Sequence, residues 1–428
     1  MVRPPGTRLS VHMRRLGAVL NRPLPAPPRA LRQGPLRPDA FTSPLRSQRL
    51  TSQLGLLLGI AFGVCFLTGL TSHYIQHPPS WFWWPSRPVW LYRTTQGLHV
   101  ATGLATVPLL GAKLWSVYPR LFTWPPARNV LHALERASVG VLVAAALFQL
   151  VTGVLNVSRW YTAMPFFFTI SHYLTAWLAI GALLVHVAVQ LPVIRHSLSR
   201  TPAAAPPPQA PEPAATADPP ATPQRAAGGL SRRGLLGTVA ASAGVITVAT
   251  AGQTLPALAP LSVLGPRRPT LGPQRLPVNA SAAATGVRRL ATDPGYRLRI
   301  SGPTGVRLLS LADLATLPQH TVSLPITCVE GWSADAVWTG VRIADLTALV
   351  GIPDGDAQVH VESLQPGGPY RASVLARPHS RDPLTLLALR LHGEILALDH
   401  GYPARLIAPN RPGVMQTKWV AAITVAHR

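Results

Sequence analysis

The sequence is poor in cysteine, in lysine and in acidic side chains. Its 428 residues include only two cysteines, Cys65 and Cys328, and only two lysines, Lys113 and Lys418. Two thiols in segments of different character exclude a framework of several disulfides. The 39 basic residues outnumber 15 acidic ones and give a formal net charge of +24. No DNA- or RNA-recognition motif accompanies this charge, so no nucleic-acid partner is predicted.

Nucleotide-binding loops are missing as well. The chain has neither a G-x-G-x-x-G run nor a Walker loop. The usual sequence signals of a nicotinamide- or nucleotide-dependent enzyme are therefore missing. The positive charge is distributed unevenly along the chain. Before Leu276 there are 25 basic and 4 acidic residues, whereas from Leu276 onward there are 14 basic and 11 acidic residues. Basic segments between long apolar runs are typical of the topology signals of membrane proteins.

Five apolar stretches each approach the length of about 20 residues that crosses a bilayer. They are residues 52–72, 97–117, 138–157, 170–191 and 234–255, and none contains an acidic residue. Basic residues precede the first stretch and lie between the second and third, whereas the loops 73–96 and 158–169 are rich in Trp and Tyr. By the positive-inside rule the N-terminus is cytoplasmic, and the first four stretches form an up-and-down four-helix bundle, residues 50–195.

The segments around this bundle differ in composition. Residues 1–49 are rich in Arg and Pro, which predicts a disordered basic cytoplasmic tail. The Pro/Ala-rich residues 196–230 predict an extended linker. Residues 231–256 predict a fifth transmembrane helix that carries the following chain out of the cytoplasm. Its start, Ser231-Arg232-Arg233, resembles a twin-arginine export signal; the alternative is an ordinary pair of positive-inside arginines.

Residues 276–428 have another pattern. Partial alternation predicts strands at 296–301, 357–364 and 370–375. Short helices are predicted at 311–317, N-capped by Ser310, and at 343–350, closed by Gly351. This mixture of strands, short helices and long loops favours an α+β domain over a doubly wound sheet.

Three blocks of this region contain side chains that can carry chemistry. They are residues 326–332 with Cys328, 399–406 with His400 and Arg405, and 415–419 with Lys418. A lone cysteine is usually structural, and a surface arginine, a turn histidine and a solvated lysine are the corresponding alternatives. In this order, however, and together with Trp338-Thr339-Gly340 and residues 382–386, the blocks resemble the molybdopterin domain of the sulfite oxidase family. The likeness is strongest to the catalytic subunits of bacterial periplasmic methionine-sulfoxide reductases.

This resemblance implies a Mo-molybdopterin cofactor. Cys328 matches the cysteine that bonds molybdenum beside two dithiolene sulfurs. Arg405 and Lys418 match positions that contact the phosphate and the pterin, and His400 matches a residue that hydrogen-bonds the cofactor. The remaining matched positions are Met415, Gln416 and Thr417, which are expected to act mainly through their backbone, and Ser363 and Asn279.

The surroundings of the cysteine allow further expectations. A carboxylate beside an anionic oxo-metal centre would be repelled, so Glu330 and Trp332 are expected to buttress the site. An anionic substrate needs cations, and the available arginines are Arg342, Arg371, Arg377 and Arg381; which of them points inward stays open. The likeness stops before the family's C-terminal dimerisation domain, so no homodimer is predicted.

Histidines in the apolar stretches suggest a second cofactor, because ionisable residues inside a membrane are costly. His99 and His172 fall at similar depth near the outer face, and diagonal helices of a bundle can place two imidazoles on opposite sides of a haem. Residues 50–195 resemble the b-type cytochrome domains of bacterial respiratory enzymes, which implies haem b. His186 lies roughly 20 Å deeper along its helix and suggests a second haem. The alternative for each histidine is an interfacial hydrogen-bonded residue.

The predicted fold is an all-α transmembrane four-helix bundle plus a fifth anchoring helix, followed by an α+β sulfite-oxidase-like molybdopterin domain, residues 276–428. The predicted function is a membrane-bound oxidoreductase of the bacterial inner membrane. It transfers an oxygen atom to or from a small sulfur-containing or N-oxide substrate outside the cytoplasm. Electrons pass through the haem to or from quinone or another carrier. The rival functions are a non-catalytic binding module on a membrane anchor and a transporter with an appended domain.

Overall fold

The computed structural model describes residues 26–37, 40–43, 45–199, 230–255, 257–265 and 267–426. The chain divides into two compact units. The first comprises residues 1–62, 105–150 and 174–244, and the second comprises residues 63–104, 151–173 and 245–428. Most of the predicted tail and nearly all of the predicted linker lie outside the described residues. The boundaries of the other domains stay predictions.

Long apolar helices dominate the N-terminal part of the chain. After the short helix α1 (Arg29–Gln33) come α2 (Gln48–Gln76), α3 (Leu91–Val117), α4 (Val130–Val157), α5 (Phe168–Ser199) and α6 (Arg232–Ala251). Within the described residues, five helices are long and apolar enough to cross a membrane. Each overlaps one predicted stretch, and together they confirm a helical N-terminal region. Their association as a four-helix bundle stays a prediction.

The C-terminal part of the chain contains two five-stranded sheets. The first has the order β2-β1-β10-β5-β6, and the second has β3-β4-β7-β8, with β9 pairing to β7. The strands are β1 (Leu298–Gly302), β2 (Gly305–Leu309), β3 (His320–Thr327), β4 (Ser333–Arg342), β5 (Gln358–Ser363), β6 (Ala372–Leu375), β7 (Leu386–Leu391), β8 (Glu394–Ile395), β9 (Arg405–Ile407) and β10 (Val420–Ala426). Strands β1 and β10 are parallel, and the other strand pairs are antiparallel.

Four short helices accompany these sheets: α7 (Arg288–Ala291), α8 (Leu311–Thr316), α9 (Ile343–Ala348) and α10 (Arg377–Ser380). Helix α8 begins as predicted, because the Ser310 hydroxyl accepts from the Asp313 N–H and the Asp313 carboxylate accepts from the Ser310 N–H. This capping box satisfies two donors that the first turn leaves free. The sheets and short helices confirm a multi-domain chain with a sheet-containing C-terminal domain.

Alternating side chains build the core of the first sheet. Residues of β5 are exposed and buried in turn, which places Val359 and Val361 on the inner face, as a period of two requires. They pack with Leu298 and Ile300 of β1. The second sheet has a core of its own around Trp338, and Cys328 lies at its edge.

Candidate functional site

Cys328 is the first residue of the turn that joins β3 to β4. Its N–H donates to the Trp332 carbonyl at 2.9 Å, and the Gly331 N–H donates to the Cys328 carbonyl at 3.1 Å. Gly331 has a φ of +90°, a left-handed conformation that favours glycine. A Cβ on Gly331 would also lie 2.9 Å from the Val100 side chain. The turn therefore holds the cysteine in one place and requires a glycine three residues later.

The Cys328 thiol is buried, with 1% of the residue exposed. Burial, and next the charge of Glu330, raise the pKa of this thiol to about 12, whereas a hydrogen bond from the Asn279 side chain acts to lower the pKa. The group is therefore a neutral thiol near pH 7 when it is alone. A bound metal deprotonates a coordinating thiol outright, so Cys328 suits metal ligation better than it suits a role as a free nucleophile.

The Glu330 carboxylate supports the turn, as expected. Its Oε2 accepts from Trp332 Nε1 at 3.1 Å and lies 3.1 Å from Nε of Arg267. Its Oε1 accepts from the Tyr161 hydroxyl at 3.3 Å. Both oxygens are thus used by neighbouring side chains of the second unit, and the negative charge is neutralised by a buried arginine.

Polar side chains from the ends of the apolar stretches contact the same turn. Gln96 Nε2 on α3 donates to the Val329 carbonyl at 3.1 Å, and Asn156 Nδ2 on α4 donates to that oxygen at 3.4 Å. Thr254 Oγ1 donates to the Gly331 carbonyl at 3.2 Å. Buried carbonyls need such partners. These residues could not be selected from the sequence, where their only signal is a polar side chain in an apolar surrounding.

Arg405 is a buried cation of the same unit, and Lys418 is a partly buried one. Arg405 is 4% exposed; its Nη1 donates to the His400 carbonyl at 3.2 Å, and its Nε has no hydrogen-bond partner among the described residues. Lys418 Nζ donates to the carbonyls of Ala280 and Asp399 at 2.7 and 2.8 Å. Neither cation forms an ion pair within the described part of the chain.

Burial shifts the protonation of both cations. It lowers the pKa of Arg405 to about 9, and burial followed by repulsion from Arg405 lowers the pKa of Lys418 well below its ordinary value. The rings of Trp338 and Trp419 lie 5.3 and 5.1 Å from the two charged groups and compensate part of the lost hydration. An unpaired buried charge remains costly. A phosphate or another anionic group would supply the missing counter-charge.

His400 presents an unused ring nitrogen to this region. Its Nε2 lies 2.7 Å from the Pro273 carbonyl, whereas its Nδ1 is buried without a partner among the residues described. Burial, and then the charge of Arg405, lower the pKa of His400 to about 4, so the ring is neutral near pH 7. The carbonyl contact assigns the proton to Nε2, which leaves Nδ1 as an acceptor for a ligand donor.

Residues 415–417 use their polar side chains inside the domain. The Gln416 amide exchanges two hydrogen bonds with the backbone of Ala408, at 2.7 and 2.8 Å. Thr417 Oγ1 lies 2.7 Å from Ser373 Oγ. This segment can therefore contact a ligand mainly through its backbone groups. The predicted contacts of Met415, Gln416 and Thr417 with a cofactor stay predictions.

The second unit brings the other predicted cofactor residues together. The Asn279 side chain lies near enough to Cys328 to act on the pKa of its thiol, and Lys418 lies within electrostatic range of the same sulfur. Ser363 Oγ donates to the Lys418 carbonyl at 2.8 Å, and Arg405 contacts His400. One thiol, the buried Arg405, the partly buried Lys418 and a free ring nitrogen fit an anionic cofactor that binds through a metal and a phosphate.

His99 and His172 also meet within the second unit. Their ring centres lie 6.4 Å apart. His99 Nδ1 lies 2.8 Å from the Cys65 carbonyl, and His172 Nδ1 lies 3.0 Å from Thr152 Oγ1. A metal-ligating imidazole usually engages its other ring nitrogen in this way. With metal–nitrogen bonds of about 2 Å, two imidazoles on opposite sides of one iron have ring centres about 6 Å apart. The pair therefore fits a shared iron.

His186 belongs to the first unit, apart from that pair. It lies within electrostatic range of Lys113 and Glu135. Glu135 accepts a hydrogen bond from Gln190 at 3.3 Å. The expected second haem at His186 stays a prediction.

Three of the four arginines considered for an anionic substrate point outward. Arg371 lies 4.0 Å from Glu362, and Arg377 and Arg381 lie 4.0 and 3.8 Å from Asp356. These three side chains are about half exposed. The fourth, Arg342, is partly buried, and its Nε is buried without a hydrogen-bond partner among the described residues. Besides Arg405, a second deeply buried arginine is Arg411, which is 4% exposed and which the sequence did not single out.

The C-terminal domain matches a known protein family. Residues 285–428 match the model described as "Oxidoreductase molybdopterin binding domain". A sulfite oxidase from Arabidopsis thaliana is 32% identical over 151 residues, which cover 28% of this chain and 38% of that protein. A sulfite oxidase from Gallus gallus is 33% identical over 165 residues, which cover 32% of this chain and 36% of that protein.

The chain thus spans little more than a third of the length of these relatives. Among solved structures, the sulfane dehydrogenase SoxCD from Paracoccus pantotrophus matches with a TM-score of 0.29 and 22% identity, covering 32% of this chain and 40% of that chain. The sequence matches are what support the assignment of the C-terminal domain.

Proposed function

We propose that this chain, whose residues 285–428 form a molybdopterin oxidoreductase domain of the sulfite oxidase family, is a membrane-bound molybdopterin-dependent oxidoreductase. Its substrate is a small sulfur-containing molecule or an N-oxide. Two relatives are named sulfite oxidase, which favours sulfur chemistry. The proposed likeness to bacterial methionine-sulfoxide reductases leaves the direction of the oxygen-atom transfer open.

The observation that carries the proposal concerns two cations in the unit that contains Cys328. Arg405 is buried and Lys418 is partly buried, and neither forms an ion pair within the described residues. Fully buried cations are rarely left unpaired, and their desolvation costs stability. A protein keeps such a pair where an anionic ligand completes it. We assign Arg405 and Lys418 to the phosphate of molybdopterin and Cys328 to molybdenum. Nδ1 of His400 and the Asn279 amide are assigned to the pterin and to the side of the site that carries the sulfur.

The cofactor, when bound, supplies the two-electron oxygen-atom exchange. The residues of this chain do the rest. The turn at Cys328 fixes the sulfur, Glu330 with Arg267 and Trp332 holds the turn rigid, and Gln96 from α3 satisfies one of its carbonyls. Burial excludes water from the sulfur, which strengthens each electrostatic contact there.

His99 and His172 are proposed to ligate one haem b. The support is their 6.4 Å spacing and the hydrogen-bonded Nδ1 of each ring. Gly69 also permits the position of His99, because a Cβ there would lie 2.8 Å from the ring carbon Cε1. A haem held by these residues would supply one-electron transfer between the catalytic domain and quinone or another carrier, and His186 is the candidate for a second haem.

We further propose that the five apolar helices span the bacterial inner membrane with the catalytic domain on the extracytoplasmic side. Support comes from the number of helices and from basic residues that alternate with aromatic-rich loops along the chain. The Arg232-Arg233 pair at the start of α6 would then act in export of a domain that folds around its cofactor in the cytoplasm.

Metal analysis and a substrate screen test this proposal. The full chain is purified in detergent from cells that make molybdopterin, and its molybdenum content and reduced absorption spectrum are measured. Turnover is screened with artificial electron donors and acceptors against sulfite, methionine sulfoxide and N-oxides. We expect bound molybdenum, b-type bands and activity on one of these classes. Folded protein without molybdenum would favour a non-catalytic binding module instead.

A further inference from the structure

A second polar region lies outside the set of residues assigned to the cofactor. A cavity of about 900 Å³ opens in the second unit between the loop that follows α2 and the edge of the first sheet. Its wall includes Trp83 and Trp84 from the loop, and Tyr370, His379 and Arg411 from the C-terminal domain. Of the cofactor residues assigned above, only Met415 lines it. The cavity therefore lies largely outside the residues assigned to the cofactor, and no ligand has yet been assigned to it.

Two buried side chains of this wall have unused nitrogens. Arg411 and His379 are each 4% exposed. Arg411 Nη2 donates to the Val374 carbonyl at 2.7 Å, but its Nη1 has no partner among the described residues, and neither has Nε2 of His379. Unpaired buried donors are costly, and the guanidinium carries a full charge. A ligand that accepts hydrogen bonds would relieve both groups together.

The charged side chains that line the cavity are three arginines and one aspartate, so positive charge is in excess. Arg377 and Arg381 stand at its rim and share a single carboxylate, that of Asp356, at 4.0 and 3.8 Å. Arg411 has no ion-pair partner within the part of the chain that the structure describes. The excess of guanidinium groups favours an anion over a neutral or cationic ligand.

The loop after α2 is fixed over the cavity by side chains. Trp84 Nε1 donates to the Asn410 carbonyl at 2.8 Å, and Asn410 Nδ2 donates to the Pro85 carbonyl at 2.7 Å. Arg87 makes two contacts of 3.0 Å with the Asp382 carboxylate. The loop thus holds Asn410, the residue before Arg411. The loop is therefore a structural part of the cavity.

The cavity lies close to the cysteine turn. Pro412 forms a parallel bridge with Thr327, which places Arg411 beside the strand end that leads to Cys328. Tyr370 lines the cavity and lies within electrostatic range of the Cys328 sulfur. A ligand held at Arg411 would therefore sit on the approach to that sulfur.

We propose that this cavity binds a small oxyanion through Arg411 and His379, and that the loop after α2 completes the site. The guanidinium offers two donors in one plane, which suits paired oxygens, and His379 Nε2 offers a third contact. Resting on the proposed function, this makes Arg411 the residue that selects an anionic substrate over a neutral one. The apolar helices then contribute a wall of the substrate site through their loop.

Calorimetric titration of the full chain in detergent tests the proposal. Sulfate is the probe, dimethyl sulfoxide is the uncharged control, and chloride keeps the ionic strength constant. We expect saturable sulfate binding that weakens at least tenfold in Arg411→Gln and stays within twofold in Arg381→Gln, which removes an exposed, ion-paired arginine. Equal affinity in wild type and Arg411→Gln, or an equal loss in both variants, would overturn the proposal.

A second pair of variants covers a failure of Arg411→Gln to fold. His379→Gln is expected to weaken sulfate binding at least threefold, and Arg411→Lys is expected to retain weaker binding through its charge. Unchanged affinity in both would refute the site. Sulfate binding in Cys328→Ser separates the two proposals, because the anion site should persist there whether or not molybdenum is bound.

Discussion

Nε of Arg267 lies 3.1 Å from Oε2 of Glu330, and both side chains are about nine-tenths buried beside the cysteine turn. Removing one partner of a buried ion pair leaves the other charge uncompensated, which typically costs about 3–5 kcal/mol. The pair therefore belongs to the support of the turn.

Glu330→Gln should lower the free energy of unfolding by about 3 kcal/mol, because the amide keeps hydrogen-bonding capacity but not the charge. Denaturant titration of the full chain in detergent measures this change. The matched control is Glu362→Gln, which removes an exposed carboxylate 4.0 Å from Arg371 and should change the free energy by less than about 0.5 kcal/mol. Equal effects in the two variants would contradict a supporting role for the buried pair.

Gln96 is expected to position the turn through the Val329 carbonyl. Gln96→Leu removes one donor to that oxygen and leaves only the 3.4 Å contact from Asn156. Molybdenum content should be unchanged, whereas the electron paramagnetic resonance signal of the reduced metal should shift, since the sulfur moves. Thr94→Val, on the same helix and directed at the Trp90 carbonyl, is the control. An identical signal in Gln96→Leu would argue against positioning.

His99→Ala and His172→Ala should each abolish the reduced b-type absorption while molybdenum remains bound. The physical reason is that an iron that lost one of these two histidines would be held weakly and would change its spectrum. His196→Ala, an exposed histidine of the same helix as His172, should keep the bands. Spectra that persist in either of the first two variants would remove that histidine from the ligand set.

The buried ring of His379 should make the free energy of unfolding depend on pH. Burial, and then the charge of Arg411, lower the pKa of His379 to about 3 from 6.5. Between these values the unfolded chain binds a proton that the folded chain does not, so folded His379 costs stability as pH falls, by at most about 1.4 kcal/mol per pH unit. Replacement of His379 by Gln removes this pH-dependent contribution to the free energy of unfolding.

The free energy of unfolding of His379→Gln should therefore improve relative to wild type as pH falls from 6.5 to 4. Denaturant titrations at several pH values measure the difference between the two proteins, in which the effects of the carboxylates cancel. A difference that does not change with pH would show that the ring is not buried in its neutral form.

The apolar helices and part of the sheet domain could be predicted because their signals are local. Helix-forming apolar stretches without acids are visible in any window of about 20 residues. Strand β5 alternates, and Ser310 caps α8 three residues before Asp313. These features depend only on residues that are near in sequence.

Strands β3, β4 and β7 were not predicted. Residues on both faces of β7 are buried, so this strand shows no alternation. Strands β3 and β4 do alternate between exposed and buried residues over most of their length, but the pattern is interrupted at their ends. Pro325 inside β3 weakens the strand pattern further. An antiparallel partner or a covering helix cannot be inferred from such a run.

The residues of the candidate site also divide into those that the sequence could predict and those that it could not. Cys328, Arg405 and Lys418 could be selected because they stand in motif blocks. Gln96 could not, since its partner Val329 lies 233 residues away, and Arg411 could not, since only its burial distinguishes it from an exposed arginine.

The most direct measurement is X-ray absorption at the molybdenum edge of the purified full chain and of its Cys328→Ser variant. If the Cys328 sulfur binds the metal, the variant should show one fewer sulfur neighbour, with its thermal unfolding otherwise preserved. The same number of sulfur neighbours in both proteins would contradict the account, because the metal would then be held without this cysteine.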